Sequence, residues 1–150
     1  MKEKHRQAYI EICNVLAGLS ECKRKSRKFG AVLVNPESND VLATGYNGYI
    51  RGGTMHCGGE GKCLRDEMHI KSGERMEIGC IHAEENVLIN AGRRGVSTVG
   101  SWLFVNGEPC ALCARRVVQS GVKKVIVRPR GYPGAGIDVL KENGVEVELA

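Results

Sequence analysis

The sequence predicts an α/β domain, a mixed five-strand sheet with helices on both faces. Three observations lead there. An apolar strand pair joined by a short polar turn comes early. Strand–helix–strand alternation fills the second half, which implies right-handed crossovers and parallel pairing. The composition is also that of a globular protein: over 150 residues, 42% are hydrophobic and 26% charged, close to globular averages. One domain over 1–150 is expected, large enough to bury a core without disulfides.

Taken in order, Ala8, Ile12, Val15, Leu16 and Leu19 recur at helical spacing, so residues from about 4 to 20 read as an amphipathic helix. The basic turn "ECKRKSRK" follows. "FGAVLVN" reads as a buried strand, "PESND" as a hairpin turn and "VLATGYN" as an antiparallel partner. A Gly- and Cys-rich insertion at about 48–81 then breaks the pattern. It is longer than a structureless loop in a compact domain should be, so it is read as functional or ordered by a ligand. Regularity returns with a helix over 83–91 ended by Gly92 and a strand "SWLFVN". Next come a helix "CALCARRVVQS" ended by Gly121 and a strand "KKVIVRP". A short helix "IDVLKENG" and the strand "VEVEL" finish the sequence.

No apolar run approaches the roughly 18 residues of a membrane span, and "MKEKHRQAYIEIC" lacks the apolar stretch of a secretion signal. The expectation is a cytoplasmic protein with no membrane partner. In such a chain seven cysteines point to metal ligands or nucleophiles before disulfides. The net charge of +5 favours an anionic partner. The basic residues are scattered in short clusters, however, which suits a phosphorylated small molecule as well as nucleic acid. A tRNA-acting enzyme would be expected to carry a more continuous basic surface, so a nucleic-acid partner is not expected.

Two short pieces carry chemistry, "CIHAEEN" at 80–86 and "GEPCALC" at 107–113. Chance gives about 0.3 CxxC pairs in a chain this rich in cysteine, and a preceding proline cuts that to about 0.01. Here the pair also opens a helix, where the macrodipole and free N–H groups favour the thiolate that binds zinc. Cys110 and Cys113 supply two ligands and His82 a third. Three protein ligands leave one tetrahedral position open, the arrangement of a catalytic zinc. Glu84, two residues past His82, is placed to move protons beside the metal. A closed structural zinc would leave both Glu84 and the open position unexplained.

The combination H-x-E…P-C-x-x-C is the signature of zinc nucleobase deaminases. With "GYNG" at 45–48, "HAEEN" at 82–86, "PCALC" at 109–113 and the following "SGVKKVIV", the chain resembles the deoxycytidylate (dCMP) deaminase family. The resemblance implies a three-layer cytidine deaminase-like fold. It also implies a catalytic zinc on His82, Cys110 and Cys113, with Glu84 as proton shuttle. Asn47 would hydrogen-bond the sugar and ring, and the backbone of Ala83 would face the base. The implied reaction is hydrolysis of dCMP to dUMP and ammonia, supplying thymidylate synthesis, in a homo-oligomer. Family members also bring dCTP and dTTP as candidate effectors. By position, Arg27, Lys28 and Tyr132 are the candidates for the phosphate.

Rival readings are a deaminase of the same fold acting on a tRNA adenosine, a free nucleoside or a riboflavin precursor, and a non-catalytic zinc-binding module. Within the insertion, Cys57 and Cys63 lie in a segment too polar to bury thiols easily, and Cys22 and Cys80 could join them. A second, structural zinc on Cys22, Cys57, Cys63 and Cys80 is expected, with His56 and His69 as competing ligands. Some members of the family resemble this chain in carrying such an extra zinc.

Overall fold

A computed structural model of the chain describes residues 1–53, 57, 61–71, 74, 78–132 and 134–150. Helix α1 (Glu3–Gly18) leads through a single 3-10 turn (Lys25–Arg27) into strands β1 (Gly30–Val34) and β2 (Val41–Tyr46). Among its described residues the insertion contributes one short helix, α2 (Leu64–Glu67). Beyond it run α3 (Ala83–Arg93), β3 (Trp102–Val105), α4 (Ala111–Gln119), β4 (Lys124–Val127), α5 (Ala135–Glu142) and β5 (Glu146–Leu149). The strands form one sheet in the order β2-β1-β3-β4-β5. β1 is antiparallel to both β2 and β3, while β3–β4 and β4–β5 are parallel.

Side chains of a strand alternate between faces, and here each face has its own cover. Val32, Val34, Phe104 and Ile126 pack with Tyr9, Ile10 and Cys13 of α1. Ala31, Leu33, Ala43, Leu103, Val105 and Val125 pack with Ala83, Val87 and Ala91 of α3, Ala114 and Val117 of α4, and Leu140 of α5. The expected three layers and five mixed strands are therefore present. The first helix is two residues shorter at its end than its apolar spacing suggested. Val15 and Leu19 face outward, 72% and 57% exposed, so part of the helical stripe does not belong to the core.

The insertion is pinched at its two ends. Gly48 N donates to Ile81 O at 3.1 Å and Ile81 N returns a bond to Gly48 O at 2.8 Å. This bridge places "GYNG" next to Cys80 and His82, although more than thirty residues lie between them. Beside it, Asn86 Nδ2 donates to Tyr46 O at 2.7 Å and Asn90 Nδ2 to Thr44 O at 2.8 Å, tying α3 to β2.

Candidate active site

His82 is the N-cap of α3 and Cys110 the N-cap of α4, so two helix starts meet at one place. Close packing sets their position. A Cβ on Gly45 of β2 would come within 2.5 Å of Val87 N and 2.7 Å of Ala83 O, so only glycine lets α3 lie this near the sheet. Likewise a Cβ on Gly136 of α5 would meet Pro109 O at 2.0 Å, which fixes the turn that carries Cys110.

His82 Nδ1 lies 3.6 Å from Cys110 Sγ and 3.4 Å from Cys113 Sγ. Bond lengths of about 2.3 Å to sulfur and about 2.0 Å to nitrogen at a tetrahedral zinc put such donors about 3.5 Å apart. The residues therefore fit zinc without rearrangement. Among the described residues, they form the group of three or more ligating side chains whose donor atoms all lie within 4.8 Å of one another.

The electrostatics agree. Hydrogen bonding from Cys113, and then from His82, pulls the Cys110 thiol down to about 4, so it is a thiolate at neutral pH. Cys113 is pushed up, first by sharing its proton with Cys110 and then by burial. Burial acts to lower His82, but the Cys110 thiolate and Glu84 outweigh it and the imidazole is raised. Glu84 is 5% exposed, and burial pushes its carboxyl up to about 7, against the opposing pull of His82. A carboxyl poised near neutrality can both accept and return a proton.

A cavity opens beside this group. It is lined by Asn47, Ala83, Glu84, His82, Tyr132, Arg27 and Arg24, together with Phe29, Arg65, Glu108 and four thiols. Asn47 is buried at 5% exposure. Its Oδ1 accepts from Phe29 N at 2.8 Å and its Nδ2 donates to Arg27 O at 2.8 Å, so it shapes the wall as well as facing the cavity. Arg27 donates to Gly131 O at 2.9 Å and lies 5.3 Å from the ring centroid of Tyr132. Tyr132 in turn stacks on His82, with centroids 5.8 Å apart and planes at 16°. Tyr132 thus touches a candidate zinc ligand directly, a contact its position in the sequence did not suggest. Lys28 is not among the cavity's lining residues; its carbonyl accepts from Arg130.

Four lining residues, Phe29, Arg65, Arg24 and Glu108, were missed in the sequence, and the last two lie beside its motifs. Arg24 lies two positions past Cys22 and pairs with Asp66 of α2. Glu108, directly before "PC", brings a carboxylate to the wall. Adjacency to the two motifs was the available signal for both.

Cys22, Cys57, Cys63 and Cys80 also line this cavity, so the fold gathers four thiols from distant positions. Cys22 and Cys80 share a hydrogen bond that lowers Cys22 to about 6 and raises Cys80. Cys80 also bonds Cys57, and burial raises Cys63. His69 is exposed, with φ 55°, and is not among the lining residues. His56 lies outside the described residues.

Fold and site together define a zinc-dependent nucleobase deaminase architecture. The sequence model of the family "Cytidine and deoxycytidylate deaminase zinc-binding region" matches residues 3–128, and the chain belongs to that family. It is similar to the deoxycytidylate deaminase of Schizosaccharomyces pombe, 38% identical over 119 residues, covering 79% of this chain and 35% of the yeast protein. The chain therefore spans about a third of that relative. It is also similar to the deoxycytidylate deaminase of Enterobacteria phage T4, 30% identical over 170 residues, covering 92% of this chain and 86% of the phage protein. Among solved structures, the dCMP deaminase of cyanophage S-TIM5 in complex with dCMP and dUMP superposes with a TM-score of 0.83 at 33% identity. That match covers 100% of this chain and 99% of the other. No helix of the described residues is long and apolar enough to cross a membrane.

Proposed function

We propose that the chain catalyses hydrolytic deamination of dCMP to dUMP and ammonia. The observation that carries this reading is Glu84, buried beside His82, Cys110 and Cys113 with a carboxyl near neutrality, in a cavity that also holds Asn47 and three arginines. Its support is the likeness over the full chain to an enzyme whose structure holds dCMP and dUMP.

In this reading His82, Cys110 and Cys113 hold the catalytic zinc. When bound, zinc supplies Lewis-acid activation of water at neutral pH. Glu84 accepts a proton from the attacking water and delivers it to N3, then takes the remaining proton from the new C4 hydroxyl and delivers it to the departing amine. The C4–N bond breaks, a C4–O bond forms and ammonia leaves. Asn47, already bonded to the backbone at 27 and 29, turns its remaining hydrogen-bonding capacity to the sugar and ring, and Ala83 presents its backbone to the base. Arg27 and Arg24 supply cations for the 5′-phosphate, with Tyr132 closing that end. Lys28 acts at most as background charge.

The same reading carries the second metal. Cys22, Cys57, Cys63 and Cys80 border the same cavity, though their sulfurs do not all lie within 4.8 Å of one another, so a zinc on them would draw the thiols together; Cys22 already inclines to the thiolate. It also carries self-association, for which the exposed Ile50 and Ile89, at 57% and 48%, offer apolar surface. Effector action of dCTP and dTTP rests on the family likeness and is tested by their effect on dCMP turnover. Assays of ammonia release from dCMP, dCTP, deoxycytidine and an RNA hairpin, with zinc counted in the same preparation, test the whole. Turnover of dCMP and close to two zinc per chain are expected. Reaction of only the hairpin or the nucleoside overturns the substrate assignment, and a count near one removes the second site.

A further inference from the structure

The zinc ligands come from two different helices, and one ion pair spans the gap between those helices. Glu85 of α3 uses both carboxylate oxygens: Oε2 accepts from the backbone N of His82 at 3.2 Å, and Oε1 lies 3.2 Å from Arg116 Nη1 of α4. Arg116 is three residues past Cys113, on the helix that Cys110 caps. Glu85 thus holds the residue that carries one ligand and, through Arg116, the helix that carries the other two. His82, Glu85, Cys110, Cys113 and Arg116 all border one cleft that Asn47 and Glu84 do not line.

We propose that Glu85 and Arg116 are positioning residues that clamp the two ligand-bearing helices at the separation the zinc requires. The proposal rests on the reading of His82, Cys110 and Cys113 as the zinc site. Three physical points support it. An acidic side chain in the first turn satisfies a free backbone N–H and complements the helix dipole, so Glu85 is favoured in place without its partner. An exposed ion pair contributes little stability by itself, and this one is partly exposed, at 37% for Arg116 and 21% for Glu85. Its leverage is therefore geometric, since a small slide of α3 against α4 changes both 3.4–3.6 Å donor separations together. Neither residue reaches the cavity of Glu84, so the clamp acts on the metal and not on the base.

The experiment follows zinc loss to a chelator, by a colorimetric indicator, from wild type, Glu85→Ala, Arg116→Ala, the double variant and Arg116→Lys, with thermal unfolding of the zinc-free forms in parallel. Outer residues that orient metal ligands change affinity by about 10- to 100-fold. Each alanine variant is expected to release zinc at least about tenfold faster, with the double variant no faster than the singles. Arg116→Lys restores part of the retention. Zinc-free unfolding temperatures should stay near wild type, because the pair's stability contribution is small. The cobalt-substituted variants should show an altered visible absorption, which a general loss of stability would not produce. KM for dCMP at saturating zinc is unchanged. Release at the wild-type rate from both single variants, or losses that simply add, overturns the clamp while leaving the zinc site in place. A wild-type protein that holds no zinc refutes the underlying site and the clamp with it.

Discussion

In the proposed reaction Glu84 moves the protons, and its burial has two separate consequences. Glu84→Gln preserves shape and zinc but cannot carry a proton; turnover should fall by about 10²–10⁴-fold with metal content unchanged, checked by steady-state kinetics and metal analysis. The second consequence concerns stability. Its carboxyl is raised from 4.5 to about 7 by burial, so in the zinc-free protein the bound proton stabilises the fold fully below about 4.5. That contribution is lost as pH rises through about 7. The stability difference between Glu84→Gln and wild type, both zinc-free, should therefore grow in the variant's favour over that window, by up to about 1.4 kcal/mol per pH unit. Chemical denaturation at several pH values measures it, and a flat difference contradicts the assignment of the shift. Asn47 differs in kind, since its amide bonds the backbone at both Arg27 and Phe29. Asn47→Ala should destabilise the fold by about 1–3 kcal/mol and raise KM together, whereas a residue serving only the substrate would change KM alone.

At the scale of elements, the site exists because α3 and α4 start side by side, and glycine makes this possible. Gly45→Ala puts a methyl against Val87 N and Ala83 O; α3 must move outward, which overpacking data put at about 1–3 kcal/mol. Because that shift carries His82 and Glu84, kcat should fall with the melting temperature. A variant that melts earlier but turns over normally would separate the glycine from the site. The strands and the two ligand-bearing helices were legible in the sequence because their apolar periodicity and the Gly121 end of α4 are local signals. Helix α3, however, runs through Gly92 to Arg93 and its positive-φ glycine is Gly95, since a single glycine inside a helix costs little and does not stop it. Helix α2 was not, because four residues of "LRDE" carry no period to detect. The outward-facing Val15 and Leu19 show the opposite limit, since helical spacing of apolar residues marks a stripe without saying what covers it.

For the whole molecule, the decisive event is the closure of the insertion at Gly48 and Ile81. It brings four thiols, three arginines and the carboxylate of Glu84 around one cavity. Sequence spacing pointed to His82, Cys110 and Cys113 as candidate ligands, whose motifs are compact. It left the insertion's ligands open among Cys22, His56, Cys57, Cys63, His69 and Cys80, because their proximity depends on long-range folding. The exposed position of His69 argues for the thiols. If the thiols do hold a second metal beside the substrate cavity, a chelator that removes it selectively should raise KM for dCMP before it lowers kcat. That order is measurable by titrating chelator against both constants. The central claim is the reaction itself. Zinc-loaded protein incubated with dCMP, and followed by chromatography with ammonia measured in parallel, should yield dUMP and ammonia in equal amounts, and Glu84→Gln should yield neither at a comparable rate. No dUMP from dCMP, in protein whose His82, Cys110 and Cys113 site is shown to be filled with zinc, would contradict the account.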